Sequence, residues 1–210
     1  MSELAPAPAT APPRPAPPRL APWGAALPVE RPGLRLVAAE PLRSFSLRGA
    51  RAALAPLARL IDLSLPVEIG GVVRVEARAA LMLGPDEWLL TGPEQDPWWE
   101  DFRRRAEVLL REEGERAGGE RVRGAVFEVS HHYAALRAEG VHVADLLNAG
   151  CPLDLDPAAF PPGRATRTLF GKIGILLWRE TEQRFTLMVA RSYARALAEL
   201  LREAARGLGA

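Results

Sequence analysis

This chain of 210 residues contains a single cysteine and a single lysine, and only 6% of it is aromatic. A lone thiol at Cys151 excludes an intramolecular disulfide, and a reducing compartment, the cytoplasm, is its simplest home. Long apolar runs are missing too. The longest, such as IGILLW (173–178), falls far short of the ~20 residues a helix needs to cross a bilayer. Nor is there an uninterrupted apolar stretch of the kind a secretory signal requires, because SELAPAPATAPPRPAPPRLAP (2–22) is broken throughout by proline. Neither charge is in excess: the formal net charge is +1, and arginines alternate with acids in EDFRRRAEVLLREEGER (100–116). Nucleic acid demands a basic excess and is excluded as a partner. The alternation reads as a solvated helix face. With Lys172 the sole lysine, nearly all positive charge is guanidinium, a mark of base composition that also suits bidentate pairing with carboxylates at interfaces.

What is present is an ordinary globular composition, 48% hydrophobic and 25% charged, enough for one domain or two small ones. Ten of the 20 prolines fall within the first 32 residues. Each removes an amide donor and fixes φ, so residues 1–32 read as an Ala/Pro-rich disordered tail. The PxxP string PPRP (12–15) is weighed there as a ligand motif, against a plain solvated extension, which is favoured.

Residues 33–210 read as a single α+β domain containing two pseudo-repeats, about 33–118 and 119–210. FSLRG (45–49) leads into a helical stretch, ARAALAPLARL (50–60), and YAALRAEG (133–140) leads into VHVADLLNAG (141–150). Each half then offers a strand pair: VRVEARAALML (73–83) with WLLTG (88–92), and RTLFGKIGILLWR (167–179) with RFTLMVA (184–190). The first turn, Gly84-Pro85-Asp86-Glu87, has type I chemistry. Each half closes with an amphipathic helix containing LLRE, and the two strings lie 91 residues apart. A strand, helix, hairpin, helix unit present twice is the favoured reading over chance similarity. In the last helix Tyr193, Leu197, Leu200, Leu201 and Ala204 form the expected buried stripe; in the earlier one it is Trp99, Phe102, Ala106, Leu109 and Leu110. Trp98, about 100° round from Trp99, sits at the edge of the core, or else anchors a partner.

The side chains that could do chemistry do not assemble into a site. His131 and His132 are adjacent in an apparent strand and point to opposite faces. His142 opens a helix and Cys151 follows its end, leaving a Cys/His metal site with Asp145 or Asp154 as the only zinc candidate, without ordinary zinc spacing. Cys151 in Gly150-Cys151-Pro152 suits a small buried residue rather than a nucleophile. Ser130 in VSHH lacks the glycines of a nucleophile elbow. The glycine pairs at 70–71 and 118–119 lack phosphate-loop spacing. No catalytic, cofactor-binding or metal-binding residue is nominated.

LGPDEWLL (83–90), AVFEVSHHYAALRAEG (125–140), CPLDLDPAAFPPGRATRT (151–168) and ARSYA (190–194), in that order, resemble the gamma subunit family of heterotetrameric sarcosine oxidase over about residues 34–206. The resemblance implies a fold similar to the folate-binding domain of the glycine-cleavage aminomethyltransferase, an α+β fold with two related halves. It implies a non-catalytic structural subunit of a complex that oxidatively demethylates sarcosine to glycine, releasing hydrogen peroxide and passing the one-carbon unit to tetrahydrofolate. FAD, FMN, NAD, tetrahydrofolate and zinc are then expected on the alpha, beta and delta partners, with alpha the expected contact, and no cofactor on this chain. Asp154 is the nearest match to an aspartate of the folate-dependent relatives, and vestigial structure is favoured there over folate binding. The alternatives are the equivalent subunit of an N-methylglutamate-type dehydrogenase and a free-standing folate-binding protein.

Overall fold

Period-two alternation in the strands decides the architecture. A computed structural model of the protein describes residues 22–51, 54, 57, 63–116 and 124–208. Among these, strands form two antiparallel sheets with few helices, so the molecule is mostly β. The first sheet runs β1 (Val29–Arg31), β2 (Leu34–Ala38), β8 (Tyr133–Glu139), β11 (Arg184–Ala190), β10 (Ile173–Thr181), β9 (Arg164–Phe170). The second runs β4 (Val72–Val75), β5 (Arg78–Gly84), β6 (Glu87–Pro93), β3 (Leu42–Arg48), β7 (Ala125–Glu128). Three helices have full described backbones: α1 (Trp98–Arg116), α2 (Val143–Asn148) and α3 (Ala194–Arg206). Arg51, Leu54 and Leu57 are also helical, and both leucines are buried.

Successive side chains of a strand point to opposite faces. In β10, Ile175 and Leu177 join the core under α2 and α3, while Leu176 and Trp178 face the other sheet. In β5 and β6, Ala80, Met82, Trp88 and Leu90 pack with Leu54, Leu57 and α1, while Ala79, Leu81 and Leu89 face back. The layers are therefore helix, sheet, sheet, helix. The layer between the sheets packs Leu81, Leu89, Leu176, Trp178 and Met188 with Ala79 and Ala165, and it also holds polar groups. There the Ser44 and Thr91 hydroxyls, both buried, meet at 3.0 Å.

The two halves share one order of elements but exchange a strand. The orders β4-β5-β6-β3 and β9-β10-β11-β8 are the same. β2 immediately precedes β3, yet it pairs with β8 (Arg35 opposite Glu139), and β7 immediately precedes β8, yet it pairs with β3 (Phe45 opposite Glu128). Each half thus completes the other's sheet. The junction expected at 118/119 lies outside the described residues.

Several expectations need correction. The tail was expected to reach residue 32, but Trp23 is 4% exposed and packs in the core of the first sheet, and β1 occupies 29–31. A large aromatic outweighs the local cost of proline by its buried area. Residues 1–21 and the PPRP string lie outside the described residues. Each expected hairpin is a three-stranded meander: 73–83 breaks at Glu76-Ala77 and 167–179 at Gly171-Lys172, with Glu76 at φ 52° and Gly171 at φ 59°. A positive φ at the first turn residue matches strand twist in two-residue hairpins, and glycine adopts it without strain. The Pro85-Asp86 turn is not type I, because Asp86 takes φ 54°, a left-handed position that aspartate tolerates.

The stripe on α3 is also rotated from the expected one. Ala194, Leu197, Ala198, Leu201 and Ala205 are buried, while Tyr193 is 56% and Leu200 44% exposed. Leu197 and Leu201 of the expected stripe are fully buried, and Ala194, Ala198 and Ala205 fill the rest of the packed face, where a helix lying close on a sheet leaves room for small side chains. In α1 the expected Trp99, Phe102 and Ala106 are buried and Leu109 partly so; the Leu110 side chain lies outside those described. Among the described residues no helix is long and apolar enough to cross a membrane.

Candidate functional site

The sequence candidates are dispersed. His131 and His132 lie not in a strand but, both exposed, in the turn Ser130–His132 between β7 and β8, and the His132 ring stands edge-on to Tyr133 at 4.6 Å. The turn is short and flanked by the partly buried Val129 and Tyr133, so β7 and β8 read as one continuous strand in the sequence. Ser130 is buried and occupied: its hydroxyl accepts from the Ser44 amide at 3.0 Å and lies 2.9 Å from Glu128 Oε1. His142 and Asp145 form an exposed pair at 3.4 Å. Cys151 is buried, its sulfur 3.7 Å from Thr168 Oγ1. Asp154 is exposed and accepts from the Asp156 amide at 2.9 Å, a local turn contact. Among the described residues no group of three or more His, Cys, Asp or Glu could hold a metal ion.

Gly70 and Gly71 have a joining role. Gly70, at φ 83°, donates to Met82 O at 2.8 Å and accepts from the Ala165 amide at 2.8 Å, so it ties the second sheet to β9 of the first. The pair at 118–119 lies outside the described residues. Trp98 is half-buried, stacked on Phe102 with ring centroids 5.1 Å apart, and the Arg78 guanidinium sits 4.7 Å from its ring centre. It packs at the edge of its own core.

Two polar clusters were not nominated from the sequence. The first is Glu87, whose side chain is 9% exposed and which bridges the sheets: it pairs with Arg48 at 2.7 Å and with Arg167 through both guanidinium nitrogens. Hydrogen bonding from Arg167 holds its carboxyl below the ordinary 4.5 despite burial. The second is Arg179, 3% exposed, which donates to Leu155 O at 2.9 Å, Phe160 O at 2.8 Å and Glu182 O at 2.9 Å, and whose guanidinium lies 5.0 Å from the Phe185 ring centre. The distinctive loop CPLDLDPAAFPPG is wrapped around this cation, so its carbonyl oxygens, not its acids, are the groups that matter. Arg167 lies 80 residues from Glu87, and Leu155 and Phe160 lie 24 and 19 residues from Arg179, so no local spacing reveals these contacts.

Two cavities, about 220 and about 240 Å³, lie beside the crossing between the sheets and share Ala39, Glu40 and Leu42 in their walls. Ala39 and Glu40 lie in the strap that carries the chain from β2 in one sheet to β3 in the other, and Leu42 opens β3. The first cavity is largely apolar, with Trp23, Tyr133 and Met188 beside Arg191; the second is lined by Arg74, Arg137, Trp178, Glu180 and Thr186. Neither brings together a nucleophile and a base.

Comparison with known proteins gives these features a context. Residues 48–206 match the model of the sarcosine oxidase, gamma subunit family. The sarcosine oxidase subunit gamma of an Arthrobacter species is 35% identical over 130 residues, 61% of this chain and 58% of that protein. The same subunit of Corynebacterium sp. strain U-96 is 34% identical over 140 residues, 66% of this chain and 62% of that protein. A solved chain of heterotetrameric sarcosine oxidase from Corynebacterium sp. U-96, in complex with pyrrole 2-carboxylate, superposes with a TM-score of 0.73 at 27% identity, covering 91% of this chain and 97% of that one. Aminomethyltransferase T of the glycine cleavage system from Bartonella henselae shares the fold, with a TM-score of 0.52 at 17% identity over 80% of this chain and 45% of that one. With the family model matched from the end of β3 to the end of α3, the chain belongs to the sarcosine oxidase gamma subunit family.

Proposed function

We propose that this chain is a non-catalytic structural gamma subunit of a heterotetrameric sarcosine oxidase, which oxidatively demethylates sarcosine to glycine. The observation that carries this is the family match over residues 48–206, supported by the superposition on a chain of a heterotetrameric sarcosine oxidase over 97% of that chain. Its partners are alpha, beta and delta subunits, with alpha the principal contact. FAD, FMN, NAD, tetrahydrofolate and zinc belong to those partners on this reading, and this chain contributes packing. A cytoplasmic location follows from the same reading. The matching strand orders of the two halves support a duplicated unit of the aminomethyltransferase kind, whose folate site is vestigial here: Asp154 is spent on a local turn rather than aimed into a cavity.

A permanent assembly requires an interface of about 2,000 Å² or more with an apolar centre. Co-expression with neighbouring subunits, followed by size-exclusion chromatography with flavin absorbance and sarcosine-dependent peroxide formation read across the column, tests the proposal. The chain should co-elute with flavin and activity, and be colourless alone. A fully assembled, active flavin peak without it overturns the subunit reading. Activity with an N-methylglutamate substrate instead of sarcosine reassigns the complex, and folate binding by the isolated chain favours a free-standing folate-binding protein.

A further inference from the structure

The cavity of about 220 Å³ beside the inter-sheet strap has the composition of a binding site. Trp23, Pro41, Leu42, Tyr133 and Met188 supply apolar wall, and Trp23 and Met188 are 4% and 1% exposed, so these surfaces are set by the core rather than by mobile rim residues. Of the hydroxyls on the wall, Ser130 is already engaged with Ser44 and Glu128, and Ser44 with Thr91. Arg191 is different. It is half-buried where β11 hands over to α3, its amide held by His132 O at 3.0 Å, and among the described residues its guanidinium meets no carboxylate. Among the described residues, other half-buried arginines at strand ends are paired: Arg43 with Glu128 at 3.0 Å and Glu100 at 2.7 Å, Arg78 with Asp96 at 2.7 Å, and Arg164 with Glu68 at 3.7 Å. A partly desolvated guanidinium presents a planar fork that matches a carboxylate bidentately.

Size narrows the ligand. An apolar cavity of about 150 Å³ takes up benzene, so the larger space here accommodates one ring, or a branched chain of similar bulk, together with a carboxylate. A phosphate or polyanion is disfavoured by a mainly apolar wall with, among the described residues, one unpaired cation, and Glu40 on the exposed rim repels a second negative charge. We propose that this cavity binds a small monocarboxylic acid carrying a single apolar group, with its carboxylate on Arg191 and its apolar part against Trp23, Tyr133 and Met188. The inference does not rest on the subunit reading, since every wall residue belongs to this chain.

Titrating the full-length chain with benzoate, and separately with its uncharged isostere benzamide, followed by calorimetry and amide NMR shifts, tests it. Benzoate should bind saturably and about tenfold more tightly than benzamide, the discrimination expected of one charge-assisted pair. Arg191→Met should bring benzoate to the benzamide level. Ala38→Trp, on the exposed rim, should weaken both ligands, and it keeps the test decisive if the Arg191 variant does not fold. No saturable binding up to about 10 mM, equal affinity for the two probes, or shifts confined to residues away from the cavity overturns the proposal.

Discussion

Arg179 carries the heaviest structural duty of any single side chain described. The residue is 3% exposed, and its two terminal nitrogens donate to three backbone carbonyls, from Leu155, Phe160 and Glu182, while its Nε has no hydrogen-bond partner among the described residues. Lysine has the charge but not the planar fork that spans separated acceptors. Arg179→Lys should therefore cost about 2–4 kcal/mol of stability, read by denaturant unfolding, and Arg179→Met a comparable amount through the orphaned carbonyls. Increased proteolysis within 151–163 should accompany either. Glu87 contributes to the acid limb. Its folded pKa is depressed by Arg167, so its contribution is fully present above the ordinary 4.5 and is lost as pH falls through the lower, folded value. Thermal melts should show Glu87→Gln less stable than the parent at neutral pH, by about 1–3 kcal/mol, with the difference shrinking below pH ~4 as the parent protonates. A gap that stays constant down to pH ~2 contradicts this assignment.

At the scale of elements, α3 and the N-terminal strand give contrasting expectations. Ala198 is fully buried where α3 meets its sheet, so Ala198→Leu forces the two apart and should cost about 1–3 kcal/mol, whereas Leu200→Ala, at an exposed position, should cost little. The stripe read from large residues alone predicts the opposite order, so the pair of melting temperatures decides between them. Deletion of residues 1–21 should leave the melting temperature unchanged, because their proline density suits neither helix nor sheet. Deletion through residue 31 removes β1 and the Trp23 side chain, and should cost at least the ~3 kcal/mol typical of a buried Trp truncation. Trp98→Ala should lower stability by about 1–2 kcal/mol through the lost stacking on Phe102 and the contact with Arg78.

For the whole molecule, the exchanged strands make the halves interdependent. A fragment ending at 118 retains β3 without its neighbour β7, and strands β8 to β11 in the other fragment lose β2. Each is left with an open sheet edge and an uncovered inter-sheet face, so neither should show a cooperative melt alone. Mixed, the two should regain the circular dichroism and single transition of the intact chain. Independent cooperative folding of either fragment contradicts the intertwined arrangement.

Much of this was legible in the order of the residues. The alternation in β5, β6, β10 and β11, the 3.6-residue spacing of Trp99, Phe102 and Ala106, and the motifs that place the chain in its family are all local patterns, and local backbone geometry expresses them directly. Glycine and aspartate turns are partly visible, but Gly171-Lys172 sits between the apolar segments Leu169-Phe170 and IGILLW (173–178), which mask it as one strand. What only the tertiary structure decided is everything that joins residues far apart in the chain. The pairing of β2 with β8 and of β7 with β3, the Glu87 bridge to Arg167, the loop gathered around Arg179 and the cavity beside Arg191 all depend on two sheets meeting face to face. Pairing between distant strands is selected by the packing of whole faces, and no spacing within one segment encodes it.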